Sequence, residues 1–141
     1  MLDMNAARAV LRGAGMRLTP QRLMIIDALV DNRSHPTVDQ VYHLVRQQFP
    51  TVSLATVYQT ISLLGRHGLI LELKGGKDGL RCDPDTSSHA HAYCQQCGAV
   101  YDVPLPQEIK IETQGLPGFV PLQVEVSIHG HCAQCEQAPA H

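Results

Sequence analysis

Four of the five cysteines fall into two matched pairs, Cys94/Cys97 and Cys132/Cys135, each with two residues between the sulfurs. In a Cys-x2-Cys knuckle the turn lets both sulfurs meet one ion. Two knuckles supply the closed, tetrahedral four-thiolate set that structural zinc favours. The pairs lie far apart in the chain, so one zinc would staple the start of a small module to its end. Such an ion contributes about 10–16 kcal/mol of apparent binding energy in small peptides, enough to decide whether a small domain folds. Four unrelated buried cysteines would rarely repeat one spacing. A thiol-redox pair is the better competitor, but it needs a reactive thiolate rather than one locked by metal. Cys82 makes the total odd, which suits a disulfide framework poorly. The N-terminal stretch lacks an apolar run of signal-peptide length, and no segment is long and apolar enough to span a bilayer. A cytoplasmic location with reduced thiols, and no membrane partner, is therefore expected.

The 141 residues allow one ordinary domain or two small ones. Charge favours two. Up to Arg81 there are ten basic and six acidic residues, net +4; from Cys82 onward there are one basic and seven acidic, net -6. The basic part suits a polyanion and the acidic, Cys/His-rich part suits cations. Aromatic residues make up only 4% and Trp is absent, so the cores must be built from Leu, Ile, Val and Ala.

The basic part reads as helices. "MNAARAVLRGAG" stops at Gly13 or Gly15. "LTPQRLMIIDALVDN" has Thr19 as N-cap and Pro20 at the first helical position, with Leu23, Ile26, Leu29 and Val30 at helical spacing. "HPTVDQVYHLVRQQFP" repeats the plan, with Thr37 as cap and Val38, Val41, Leu44 and Val45 facing inward. In "VSLATVYQTISLLGRHG", Ser53 is the cap, Leu54, Val57, Ile61 and Leu64 form the buried stripe, and Gly68 follows the last turn. "LILEL", "KGGKDG" and "LRCD" then read as a two-stranded hairpin. Short helices followed by a hairpin are the plan of a winged helix-turn-helix, whose last helix enters the DNA major groove. Thr56, Tyr58, Gln59 and Thr60 lie off the expected apolar stripe and can offer contacts to base edges and phosphates. The candidate DNA-contact set is Arg17, Gln21, Arg22, Ser53, Thr56, Tyr58 and Gln59.

Between the two parts lies "SHAHAYCQQCGAVYD", with five potential ligands in fifteen residues. If its first half is a strand, His89 and His91 point to one face. Both imidazoles can then hold one ion while Cys94 belongs to the knuckle. Oxygen donors stand nearby at Asp83, Asp85 and Asp102. Two imidazoles with carboxylates suit Fe(II), Mn(II) or Zn(II). The same stretch is thus expected to serve two sites.

With "LTPQR", "HPT", "SLATVY", "HAH" and the paired Cys-x2-Cys in this order, the chain resembles the ferric uptake regulator (Fur) family from about Leu11 to Cys135. The resemblance implies an α+β fold: a winged-helix N-terminal domain over residues 1–82, a hinge over 83–88, and a small α/β dimerisation domain over 89–141. It implies a homodimeric, metal-dependent transcription regulator on a palindromic double-stranded DNA operator, not an enzyme. Cys94, Cys97, Cys132 and Cys135 match the structural zinc site. The regulatory site would draw on His35, Asp83, His89, His91 and Asp102, joining the two domains around one ion.

Asp at both 83 and 102, and the absence of Arg after Tyr58, resemble the peroxide-sensing (PerR) branch. There Fe(II) reacts with hydrogen peroxide and a ligating histidine is oxidised; the matching residues are His35 and His89. Cys82 stands where that branch carries an aromatic residue. It opens the alternative of a zinc-supply sensor, with Zn(II) in the regulatory site; an iron-supply regulator is the other family alternative. His131 and Glu108 lie near a further family metal site whose companions are replaced by Ser88 and Ala90, so a third site is not expected. His129 and His131 are expected at the surface or beside the ligands, and His43, His67 and His141 at the surface. From another class, a small zinc hydrolase would use His89, His91 and an aspartate, but the chain has no His-x-x-x-His pattern with a nearby general base.

Overall fold

The computed structural model describes residues 2–106, 115–121 and 124–137. The chain divides into two compact units, Met1–Ser87 and Ser88–His141.

In the first unit, four helices precede a hairpin: α1 (Met4–Gly13), α2 (Pro20–Leu29), α3 (Val38–Gln48), α4 (Leu54–Arg66), then β1 (Leu71–Leu73) and β2 (Arg81–Asp83). Each helix starts where a side-chain oxygen satisfies a backbone N–H that the helix itself leaves unpaired. Asp3 accepts from Ala6, Thr19 from Arg22 and Ser53 from Thr56. Thr37 and Gln40 form a reciprocal capping box at 3.1 and 2.9 Å. α4 ends in a Schellman turn: Leu69 N–H donates to Leu64 O and Gly68 N–H to Gly65 O. That turn needs the left-handed φ of +72° at Gly68, which glycine adopts without a Cβ clash.

The buried faces meet in one apolar core that includes Leu11, Ile25, Ile26, Leu29, Val41, Val45, Val57, Ile61 and Leu64. Three residues depart from the expected pattern. Leu44 and Leu54 are exposed, at 43% and 39%. Leu54 sits in the first turn of α4, one turn before the buried stripe begins at Val57. Thr60, expected to face outward, is fully buried, and its hydroxyl donates to Thr56 O at 2.8 Å. It lies three residues after Val57 and beside Ile61, so helical spacing carries it into the core face. Bonding back to its own helix satisfies the hydroxyl there.

β1 and β2 pair antiparallel, Leu71 opposite Asp83 and Leu73 opposite Arg81. The segment before α3 adds a third line to this hairpin. Cys82 N–H donates to Pro36 O at 2.9 Å, Val38 N–H to Leu80 O at 3.3 Å, and Thr37 bridges Arg81. Helices followed by a wing of this kind make the unit a winged helix-turn-helix.

The second unit holds β3 (His89–Cys94), β4 (Val100–Pro104), β5 (Ser127–Gly130) and a short α5 (Ala133–Gln137). The sheet order is β4-β3-β5, with β3 antiparallel to β4 and parallel to β5. Gln95 N–H donates to Gly130 O at 2.7 Å, so the turn after β3 is tied to the end of β5.

Candidate metal centres

The four matched cysteines converge. Cys94 ends β3, Cys97 lies in the turn after it, Cys132 follows β5 and Cys135 sits in α5. Their sulfurs all lie within 4.8 Å of one another. Cys97 Sγ and Cys132 Sγ are 3.8 Å apart. A tetrahedron with Zn–S bonds of about 2.3 Å has sulfur–sulfur edges of about 3.8 Å, so the spacing fits zinc. The knuckle closes through Gly98 N–H to Cys94 O and Cys94 N–H to Ala99 O, and Gly98 takes a φ of +78° to make the turn.

Backbone N–H groups of Cys97 and Cys132 aimed at Cys94 hold its thiol well below the usual value, at about 5. The Cys132 N–H stands 3.3 Å from Cys94 Sγ. Cys135 moves the other way, to about 12, chiefly through its hydrogen bond with the Cys132 sulfur. Four sulfurs this close cannot all be thiolates unless a cation replaces the protons between them. That donor chemistry, together with the tetrahedral edge, is what zinc requires.

In the first unit, His35 and Asp83 form a buried pair, Nε2 to Oδ2 at 3.4 Å. They are 48 positions apart in the sequence, and the three-line wing aligns them. His35 holds a left-handed φ of +51°, an uncommon conformation for a non-glycine residue. Its carbonyl accepts from Arg81 Nη1 at 2.9 Å, and the Cys82 bond to Pro36 fixes the next residue. Strain held by surrounding bonds is characteristic of functional positions. Asp83 Oδ1 accepts from Asp85 N–H at 2.9 Å, which orients the carboxylate.

Cys82 is fully buried within the apolar core of the first unit. Neighbouring strand residues face opposite sides, so this thiol points away from the side chain of Asp83. Burial, then the Glu72 carboxylate, pushes its pKa up to about 12. Because the folded value lies above the unfolded one, the stability gained from the neutral thiol is complete below the ordinary value of 9.0 and is lost as pH rises toward 12. Thermal melts followed by circular dichroism should therefore show an alkaline decline, worth up to about 4 kcal/mol at its limit, that Cys82→Ala lacks. Iodoacetamide should spare Cys82 until the chain unfolds. Labelling of the native protein at Cys82 would contradict this burial.

In the second unit, β3 and β4 place two imidazoles around one carboxylate. His91 pairs directly opposite Asp102, and period-two alternation puts His89 on the same face. Asp102 Oδ1 lies 3.1 Å from His89 Nε2 and 3.4 Å from His91 Nε2. The two rings stand 4.4 Å apart, nearly edge to face. Two nitrogens converging on one oxygen, with no sulfur on that face, make a nitrogen/oxygen donor set suited to Fe(II), Mn(II) or Zn(II). Cys94 projects to the other strand face, so one strand serves two different donor sets.

Sequence reasoning missed what lies next on this face. The Tyr93 ring is 6.5 Å from His91 and stacks on His129 at 5.2 Å, with planes 15° apart. Gln95 Nε2 meets His129 Nδ1 at 2.9 Å. The alternation His89–His91–Tyr93 was the signal available for it. His131 lies 3.4 Å from Glu136 at the surface. Glu108 and His141 lie outside the described residues.

Of the candidate DNA contacts, Ser53 and Thr56 share a 2.8 Å hydrogen bond at the start of α4, and Tyr58 and Gln59 are exposed on that helix. Arg22 Nη1 donates to Arg17 O at 2.8 Å, and Gln21 Nε2 to Thr51 Oγ1 at 3.1 Å.

The sequence profile of the ferric uptake regulator family matches residues 13–129. The peroxide-responsive repressor PerR of Staphylococcus aureus is 35% identical over 136 residues, 95% of this chain and 92% of that protein. The Helicobacter pylori ferric uptake regulator Fur, with three functional metal binding sites, has a TM-score of 0.77 over 98% of this chain and 97% of its own. At 18% identity that likeness is one of fold. PerR from Streptococcus pyogenes, a protein of peroxide sensing and gene regulation, has a TM-score of 0.53 at 26% identity, covering 96% of this chain and 94% of that one.

Proposed function

The chain belongs to the ferric uptake regulator family, and from that premise we propose that it is a homodimeric, Fe(II)- or Mn(II)-dependent repressor released from its operator by hydrogen peroxide. Family membership sets aside the hydrolase and thiol-oxidoreductase readings, since the curated relatives are transcriptional repressors. The observation that carries the reading is the donor set on β3 and β4, where His89 and His91 meet the Asp102 carboxylate. The His35–Asp83 pair supplies the same two kinds of donor in the winged-helix unit. We take the two groups as halves of one regulatory site, closed by a single ion.

Asp83 and Asp102 are both the shorter carboxylate, as in the peroxide-sensing branch, and the S. aureus relative is a peroxide-responsive repressor. When bound there, Fe(II) supplies the electron that peroxide chemistry needs. By the likeness to the peroxide-sensing branch, His35 and His89 are the residues whose oxidation would break the site; each has a ring nitrogen beside an aspartate. The burial of Cys82 in the apolar core speaks against its sulfur as a ligand and so against a zinc-supply sensor.

The switch works by population shift. A dimer reading a palindrome must hold its two recognition helices about one DNA turn apart, roughly 34–36 Å. An ion that binds the correctly spaced arrangement better than the others populates it by its difference in affinity. DNA contact would come from α4 and its cap with Ser53, Thr56, Tyr58 and Gln59, and from Arg17 before α2 with Gln21 and Arg22 in its first turn.

Fluorescence anisotropy on duplexes selected from a random pool tests this. Mn(II) should tighten binding at least tenfold, about 1.4 kcal/mol, and log affinity should fall linearly with log salt as counterions are released. Peroxide should abolish binding by the Fe(II) form, irreversibly, with oxygen added to His35 or His89, and should spare the Mn(II) form. Metal-independent binding, or a peroxide-indifferent Fe(II) form, would overturn the reading.

A further inference from the structure

We propose that Tyr93 is a redox-active residue that competes with the ligating histidines for oxidising equivalents and so sets the peroxide dose at which the protein is irreversibly oxidised. The inference rests on the peroxide reading and deepens it.

Three rings follow one another along β3, and a fourth stacks beside the last of them from β5. His89 to His91 is 4.4 Å, His91 to Tyr93 is 6.5 Å and Tyr93 to His129 is 5.2 Å between centroids. The first three follow from alternation along β3, and the fourth comes from β5, where His129 pairs with Tyr93 in register. The Tyr93 ring is clamped between two imidazoles, and Gln95 holds the outer one at 2.9 Å. Tyr93 is 4% exposed, so its ring is shielded from solutes while lying next to the proposed metal ligands.

A phenol gives up an electron together with its proton more readily than an imidazole does. A phenol within one ring spacing of His91 is therefore a better donor held close by when oxidant forms at the histidines. Reduction of peroxide to two waters takes two electrons and two protons. One electron would come from Fe(II) held by the proposed ligands, leaving Fe(III). The other comes from Tyr93, with its hydroxyl proton, leaving a neutral tyrosyl radical; the second proton comes from solvent. The O–O bond breaks, no oxygen is inserted into His89, and the charges balance. Without the phenol the oxidation falls on histidine: one peroxide oxygen inserts into a ring C–H, the other leaves as water, and both equivalents are used with no net change in the iron.

Tyr93→Phe keeps the stacked ring and its burial while removing the oxidisable group; unchanged zinc content confirms an intact fold. The full-length chain loaded with Fe(II) receives stoichiometric peroxide without oxygen. It is then freeze-quenched for electron paramagnetic resonance and digested for mass spectrometry. The proposal expects a tyrosyl radical in the wild type that is lost in Tyr93→Phe, and a severalfold rise in oxygenated His89 per peroxide in the variant. Histidine oxidation that appears at stoichiometric peroxide only in the variant, and in the wild type only at excess peroxide, supports it equally. Equal histidine oxidation in both, with no radical assignable to Tyr93, overturns the proposal and leaves the peroxide reading standing. No histidine oxidation in either protein, with operator binding retained after peroxide, overturns both.

Discussion

A Cys132→Ser chain is expected to purify without zinc and with its Ser88–His141 unit unfolded. The reason lies in how little else holds that unit. Its described strands have six, five and four residues and its described helix has five. Among its described residues, Ala90, His91, Tyr93, Cys94 and Gly98 are the buried ones, whereas the first unit buries a continuous core from Leu2 to Cys82. A unit of this kind depends on an ion worth about 10–16 kcal/mol of apparent binding energy. Cys132 also lies at the crossing of the two knuckles, 3.8 Å from Cys97 Sγ and donating its N–H to Cys94 Sγ. Atomic emission should find zinc lost in full. Circular dichroism should show the strand signal lost while the helices of the first unit remain. A zinc-free variant that keeps its native spectrum would contradict the role of the staple.

Asp102→Ala should do the opposite: keep the zinc and the fold, and lose the metal response. Asp102 is on the β4 strand, a third exposed at its side chain, and its contacts with His89 and His91 lie on the sheet face opposite Cys94. Removing it takes one oxygen donor from the proposed regulatory set, the carboxylate that His89 and His91 share. Loss of even an outer partner costs about 10–100-fold in metal affinity, so loss of a direct ligand should cost at least that much. Isothermal titration should show weak Mn(II) binding, and anisotropy should show operator affinity that Mn(II) no longer raises. Wild-type titrations from this variant would remove Asp102 from the site.

What could be read from the sequence was local. Thr19, Thr37 and Ser53 each cap the helix expected of them, because a cap is settled within three residues. The His-x-His face and the two knuckles were legible for the same reason. Failures came where spacing alone had to decide burial. Helical spacing puts Leu54 inside although the helix reaches the core one turn later, and Thr60 reads as outside because its hydroxyl hides a core position. The His35–Asp83 pair has no local signature at all. It depends on the segment before α3 joining the wing and on a left-handed backbone at His35, so only the family resemblance pointed to it. Cys82 was decidable in principle: a residue adjacent to Asp83 on a strand must face the other way.

The central proposal is that one ion takes ligands from both units. Mn(II) titration of His35→Ala beside His91→Ala tests it most directly, with zinc content checked in each. The account predicts that both variants keep their zinc and that both lose high-affinity Mn(II) binding, although His35 belongs to the winged-helix unit and His91 to the sheet. Wild-type Mn(II) affinity in His35→Ala would show that the sheet binds the ion alone and would contradict it.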